Sequence, residues 1–383
     1  MLRVLIAPDS FKGSLSAFAA AHHMAIGIRK AMPNCDVDLL PIADGGEGTV
    51  DCMVEAIGGK KVTTRVHNPL GEWIEAQYGV LTDGTVVIEA AAANGLELIE
   101  KSKRDPLIAN TIGVGELIQD ALDANHTSFI IGLGGSGTND GGIGMLHALG
   151  IRLLDAKGDI LSPIPLACRS LDSFDISHIH PKLHTANIRI ATDVDNSLCG
   201  INGATVVFGP QKGVQPEWIE PLDQALAQFG NVLEKQFGVS ILNRRGSGAA
   251  GGMGAAFVGI LGATLDRGID LILNIAKFDQ RAALADLILT GEGKTDSQTL
   301  QGKAVYGVVR RAAQLSIPVL CVSGSYESSA NPLYDLGLDG LLSIIPGPVP
   351  LEQALFYADH FLEQTSYAAF RIFMAGRSRE RKK

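Results

Sequence analysis

The chain opens with a short apolar run, Val4-Leu5-Ile6-Ala7, whose length and lack of alternation predict a buried strand over residues 2–7. The period then changes. Phe18, Ala21, Ala25, Ile28 and Met32 recur three or four positions apart, which predicts a helix over 16–32 with Arg29 and Lys30 in its last turn and Pro33 ending it. Residues 36–42 read as a second strand and 47–57 as a second helix. Strand and helix in alternation predict a parallel sheet.

Beyond residue 60 the pattern becomes one of hairpins, with strands at 61–67, 73–81 and 86–91 joined by Asn68-Pro69-Leu70-Gly71 and Thr82-Asp83-Gly84. Val114, Leu117, Ile118, Ala121 and Leu122 form one stripe and predict a helix over 111–122, followed by a strand at 129–133 and a helix at 141–149. Residues 156–187 hold Pro163, Pro165 and Pro181 with little periodicity and read as irregular surface. Strands are predicted at 189–191 and 204–208, and helices at 218–237 and 249–265. Alternation returns with a strand at 287–290, a helix at 299–313, strands at 319–322 and 340–345, and a long helix at 351–375 after the stiff Pro346-Gly347-Pro348 bend. The likeness of the two ends predicts an α/β fold of two domains. Residues 1–65 plus 275–383 would form a discontinuous Rossmann-like parallel-sheet domain and residues 66–274 an inserted mixed α/β domain, with the active site in the cleft between them.

Composition narrows the function. At 383 residues and 46% apolar content there is material for more than one core. A net charge of −9 with 19% charged residues argues against nonspecific nucleic-acid binding. No apolar run approaches the ~20 residues of a membrane helix. Cys35, Cys52, Cys168, Cys199 and Cys321 form no C-x-x-C pair, and the chain starts directly on a strand with no signal-peptide pattern, so a reducing cytoplasm is expected. The basic tail Arg377-Ser378-Arg379-Glu380-Arg381-Lys382-Lys383 reads as a solvated end.

Candidate chemistry collects where predicted strands empty into turns. Asp9 and Lys12 share one such loop, and a lysine there can hold a phosphate as a point charge. Asp193 and Asp195, two apart after a strand, offer one carboxylate for Mg²⁺ and one for a hydroxyl proton, although the same spacing also makes an Asx turn. Gln211-Lys212-Gly213 is a phosphate-reading candidate, and Glu292, Asp296 and Lys303 cluster near another strand end. Acids, lysines and glycine turns together point to Mg²⁺-assisted phosphoryl transfer, in which catalysis is mostly positioning and charge neutralisation. Gly132-Leu133-Gly134-Gly135-Ser136-Gly137 and Gly246-Ser247-Gly248-Ala249-Ala250-Gly251 match G-x-G-x-x-G, which keeps an NAD-dependent dehydrogenase of a small hydroxy acid as the rival, but Asp140 at the helix start would repel a pyrophosphate. Gly291-Glu292-Gly293-Lys294-Thr295 imitates a P-loop, yet Ile288 stands where its first glycine belongs. His178, His180 and His184 read as surface residues.

Taken in order, Ala7-Pro8-Asp9-Ser10-Phe11-Lys12-Gly13-Ser14, Ala43-Asp44-Gly45-Gly46-Glu47-Gly48-Thr49, residues 132–149, Asp193-Val194-Asp195-Asn196, Val207-Phe208-Gly209-Pro210-Gln211-Lys212-Gly213, residues 248–255 and Thr290-Gly291-Glu292-Gly293-Lys294-Thr295-Asp296 resemble the bacterial type-1 glycerate kinase family across nearly the whole chain. The resemblance implies an ATP-dependent kinase of D-glycerate, most often making 2-phosphoglycerate, with the 3-phosphoglycerate product as the alternative, and it allows a homo-oligomer. At the matching positions Asp193 would be base or Mg²⁺ ligand with Asp195 beside it. Lys12 and Lys212 would neutralise phosphate or substrate carboxylate, Asp9 would be catalytic beside Lys12, and Gln211 and Lys303 would bind substrate or phosphate. Ser10, Asp44 and Asn139 would orient substrate or metal, Glu292 and Asp296 would hold metal or ribose, and Gly291 and Gly293 would belong to the same cofactor-binding turn. The chain departs from the pattern at Ser197, where proline is expected, at Arg244-Arg245, and at Lys294, where arginine is common.

Overall fold

The computed structural model describes residues 1–380 apart from Asp44 and Glu47. The fold is mixed α/β with two large sheets. The chain divides into two compact units, one of Met1–Asp44, Asp51–Ile57 and Ile269–Lys383, the other of Gly45–Val50 and Gly58–Gly268.

The first unit is built on five strands in the order Gly340–Ser343, Val319–Ser323, Leu287–Thr290, Arg3–Ile6, Asp36–Leu39, every neighbouring pair parallel. Val4, Leu5 and Ile6 are fully buried, as are Leu287 and Ile288, which is why these strands read as unbroken apolar runs: a parallel sheet is covered on both faces. The helix Ala17–Ala31 starts where Ser16 Oγ accepts the Ala19 N–H at 3.2 Å. Its buried face runs through Ala20, Ala21, Met24, Ala25 and Ile28, while Phe18, expected on that face, is 44% exposed.

The second unit carries six strands in the order Thr264–Asp266, Asn187–Ala191, Ser128–Gly132, Val86–Glu89, Trp73–Leu81, Gly59–His67. The first four are parallel and the last two antiparallel. Residues 61–65 were expected with the amino-terminal domain. The strand Gly59–His67 instead pairs along its whole length with Trp73–Leu81, because the turn at Asn68 to Gly71 joins the two into one hairpin.

Two further expectations fail for local reasons. Residues 204–208, predicted as a strand from Val206, Val207 and Phe208, form the short helix Ala204–Phe208 that buries Ala204 and Thr205; tertiary packing outweighs the β-propensity of the run. The predicted helix over 249–265 ends early, at Ala249–Gly259, and Thr264–Asp266 is an edge strand. Inside that helix Ala250, Gly251 and Gly252 all adopt left-handed conformations, φ 52°, 68° and 94°. Glycine is required at 251, since a Cβ there would lie 2.1 Å from the Thr138 carbonyl oxygen. The glycine-rich segment is thus moulded onto the loop that follows the strand Ser128–Gly132.

Candidate active site

In the second unit the four parallel strands end together, and the loops leaving them carry the acids and amides singled out in the sequence. Asp193 follows Asn187–Ala191, and its Oδ1 accepts at 3.1 Å the N–H of Gly268, the first residue of the helix Gly268–Ile275 after the neighbouring strand. Asp193 and Asp195 are both exposed to water. Asp195 is paired with Arg245. A polar pocket of ≈ 380 Å³ opens beside it, lined by Asp195, Asn196, Ser197, Asn202 and Asn243. Ser197 and Arg245, both departures from the family pattern, therefore meet at one place. Main chain at Gly45 and Val50 lies at the same strand ends: a Cβ on Gly132 would stand 2.2 Å from the Gly45 carbonyl oxygen, and Glu89 Oε1 accepts the Val50 N–H at 2.7 Å. Asp44 lies outside the described residues.

The loop from 134 to 140 is the most polar buried segment of this unit. Asp140 is fully buried and accepts four hydrogen bonds, from the Thr111 N–H and hydroxyl and from the N–H groups of Gly142 and Gly144, at 2.8–3.1 Å. Burial pushes its carboxyl above the usual range, and the four donors pull the other way. The four bonds fix the loop to Thr111, and a buried acid at this position opposes the charge of a pyrophosphate at the start of the short helix Ile143–Ala148. That disfavours the dinucleotide reading of the glycine pattern. Asn139 is 1% exposed and donates from Nδ2 to Thr205 Oγ1 at 2.9 Å. Lys212 is 3% exposed, and its ammonium donates to Ser136 Oγ at 2.9 Å and to the Thr138 carbonyl at 2.6 Å. Burial pushes the Lys212 amine down to about 7, with the Asp140 charge opposing. The neighbouring Gln211 side chain is exposed, and its carbonyl accepts from Arg104 at 3.0 Å.

In the first unit Arg3–Ile6 and Leu287–Thr290 are neighbours, and their pairing runs on into the loops: the Ala7 N–H meets Leu289 O and the Asp9 N–H meets Gly291 O, each at 2.8 Å. Asp9 Oδ1 accepts the Ser10 N–H at 2.6 Å. A Cβ on Gly293 would lie 3.1 Å from the Lys12 main-chain nitrogen, so Gly293 lets the two loops lie against each other, while a Cβ on Gly291 would lie 2.0 Å from the Val322 carbonyl oxygen of the neighbouring strand. Asp9, Ser10, Lys12, Gly291 and Gly293 are thereby brought together, with the Lys12 side chain exposed. Glu292 is 5% exposed, and its Oε1 accepts the hydroxyls of Thr295 at 3.0 Å and Thr299 at 2.6 Å. Burial raises its carboxyl, while the two threonine hydroxyls and Lys303 work against that. Thr295 is in turn 2.6 Å from Ser323 Oγ on the next strand. Asp296 accepts the Gln298 N–H at 2.8 Å and pairs with Lys294 at 3.3 Å, which holds its carboxyl below the usual range, the backbone bond contributing most. Among the described residues Lys303 reaches Gln298 Oε1 alone, at 3.4 Å.

The partners Ser136, Thr138, Thr295, Thr299 and Ser323 were missed by the sequence reading. Ser136 and Thr138 stood inside a quoted motif but were passed over for its glycines; a hydroxyl's partner across a sheet carries no local sequence signal. Among the described residues no group of three His, Cys, Asp or Glu gathers as a metal centre. Mg²⁺ needs no such cage, since one or two carboxylates with substrate oxygens and water suffice.

An α/β protein with acid- and lysine-bearing glycine turns at its strand ends belongs among enzymes that handle phosphorylated small molecules. The comparisons narrow the class. The model of the glycerate kinase family matches residues 4–374, and the chain belongs to that family. It is 46% identical to a glycerate kinase of Bacillus subtilis, over 95% of this chain and 96% of that one. It is 41% identical to the glycerate 2-kinase of Escherichia coli, over 92% and 93%. A crystal structure described as glycerate kinase 2 of Salmonella typhimurium superposes with a TM-score of 0.90 at 43% identity, covering 98% of this chain and 99% of the other.

Proposed function

We propose that the protein is an ATP-dependent kinase that phosphorylates the 2-hydroxyl of D-glycerate, giving 2-phospho-D-glycerate. Family membership across residues 4–374 carries this reading, and the relative named glycerate 2-kinase supports the choice of hydroxyl. The first unit, read as Rossmann-like, takes the nucleotide: Gly291 and Gly293 admit phosphate to the backbone, Lys12 neutralises it, Asp9 holds Ser10 in place, and Glu292 with Asp296 meets the ribose or the metal side of the nucleotide. The second unit takes the acceptor. Asp193 is exposed and fixed by the Gly268 N–H, which suits a base that receives the hydroxyl proton. Asp193 and Asp195 are water-accessible carboxylates at one strand end and fit a Mg²⁺ that keeps part of its water shell. When bound, the ion would neutralise charge on the phosphoryl oxygens. No described helix is long and apolar enough to cross a membrane, and the reading is of a cytoplasmic enzyme.

Phosphorus NMR of the product from D-glycerate, ATP and Mg²⁺ tests the reading. The 2-ester couples to one proton and gives a doublet. A triplet would mean the 3-ester and overturn the choice of hydroxyl, and no new ester would overturn the kinase.

A further inference from the structure

Lys212 is an oddity in the second unit. A buried ammonium is costly unless an anion pairs with it, yet among the described residues no carboxylate lies within ion-pair distance of Lys212. The acid whose charge acts on it, Asp140, is already taken up by four donors of its own. The ammonium's two acceptors are neutral, Ser136 Oγ and the Thr138 carbonyl, and both belong to the loop that follows the strand Ser128–Gly132. A neutral donor would suffice for hydrogen bonds to such acceptors, so they do not by themselves call for a charge. The loop has a second peculiarity. Among the described residues, the main-chain N–H groups of Gly134, Gly135, Thr138 and Asn139 donate to no acceptor. Gly134 and Gly135 face solvent, and Gly135 has φ 71°. Thr138 and Asn139 are buried, so the N–H groups open to a ligand are those of Gly134 and Gly135. Adjacent solvent-facing main-chain N–H groups with a positive charge behind them can cradle an oxyanion.

We infer that Lys212 is a positioning residue of this cradle: it clamps the 134–139 loop from behind through Ser136 and Thr138, and its charge biases the exposed N–H groups toward an oxyanion of the substrate. The inference rests on the kinase reading and deepens it. The shared chemistry is a carboxylate or phosphoryl oxygen, supplied by D-glycerate or by the phosphate. The depressed basicity of Lys212 agrees, since an anion docked on the loop would restore the proton. Among the described residues Asp140, on the same loop, and Arg104, bonded to the Gln211 carbonyl, are the other charges facing this position.

Calorimetric titration of the full chain without nucleotide, with D-glycerate and separately with inorganic phosphate, tests it from pH 7 to 9. Lys212→Met removes charge and donors, and Lys212→Gln keeps two N–H donors, on a side chain one atom shorter, without charge. The expected result is at least about tenfold weaker binding of one of the two anions to Lys212→Met at pH 7. Loss confined to D-glycerate assigns the cradle to the carboxylate, and loss confined to phosphate assigns it to the phosphoryl group. Wild-type affinity for that anion should also fall as pH rises, relative to a Lys212→Gln profile that lacks this fall. If Lys212→Met does not fold, the Lys212→Gln comparison decides alone. Both anions binding wild type and variants within twofold, or wild type and Lys212→Gln sharing one pH profile, would overturn the inference. A wild type that binds an anion as expected but forms no phosphoglycerate would overturn the kinase reading instead.

Discussion

Thr111 gives both its main-chain N–H, at 2.9 Å, and its hydroxyl, at 2.8 Å, to the same oxygen of Asp140. The hydroxyl in turn accepts the Met145 N–H at 2.9 Å, so one buried carboxylate ties the start of the helix Ile112–Asp123 to the loop beside the strand ends. Asp140→Ala leaves these donors buried and unpaired. Each orphaned group costs about 1–3 kcal/mol, so a loss of at least about 3 kcal/mol is expected, read as a lowered midpoint in urea with unchanged slope.

Gly251→Ala should be disproportionately harmful for a one-carbon change. The new Cβ would lie 2.1 Å from the Thr138 oxygen, on a residue with φ 68°. The left-handed conformation alone costs about 1–2 kcal/mol, and the displaced carbonyl is the one that Lys212 holds. Both the thermal midpoint and the KM for D-glycerate should worsen; an unchanged KM would detach this segment from the acceptor site.

Asp193→Asn keeps the shape and the contact with Gly268 but loses the proton acceptor. Turnover of D-glycerate should fall by about 10² or more with the KM for ATP little changed. A coupled assay for ADP reads the result, and turnover within threefold of the parent would remove Asp193 from the role of base.

Glu292→Gln separates charge from packing in the first unit. The amide oxygen can still accept from Thr295 and Thr299, and burial disfavours the charge that is lost, so stability should hold or improve. The KM for ATP should nonetheless rise about tenfold if the carboxylate meets the nucleotide, the usual weight of a charged hydrogen bond.

Stability should depend on pH through Lys212. Its folded-state value is lowered to about 7 from an ordinary 10.5, so between these values the unfolded chain holds a proton that the folded chain has lost. Stability conferred on the folded state therefore rises with pH across that window, by up to about 1.4 kcal/mol per pH unit, and the cost of the buried charge is fully present below pH 7. Chemical unfolding of wild type and Lys212→Met should show the variant more stable at pH 7 and the gap closing toward pH 9. A gap independent of pH would mean that Lys212 stays charged throughout.

Much of the architecture was legible along the chain. The strands Trp73–Leu81 and Leu287–Thr290 fall where apolar runs and turn residues put them, because the hairpin turn and the fully buried parallel strand each leave a local signature. The segment 204–208 was misread because Val206, Val207 and Phe208 are good strand residues, and only their surroundings make a helix of them. Phe18 was assigned to a buried face because spacing gives the period of a helix better than its rotation about its axis.

The sequence by itself determined the α/β class, the positions of the acid- and lysine-bearing turns, and the family, since collinear motifs survive as residue strings. Tertiary structure alone decided how each charge is used. Asp140 and Asp193 look alike in sequence, yet one is sealed beneath four donors and the other stands in water at a strand end. Lys12 and Lys212 divide in the same way, one exposed and one enclosed. Burial and hydrogen-bond partners come from residues distant in the chain, and they set whether a charge is solvated, neutralised or put to work.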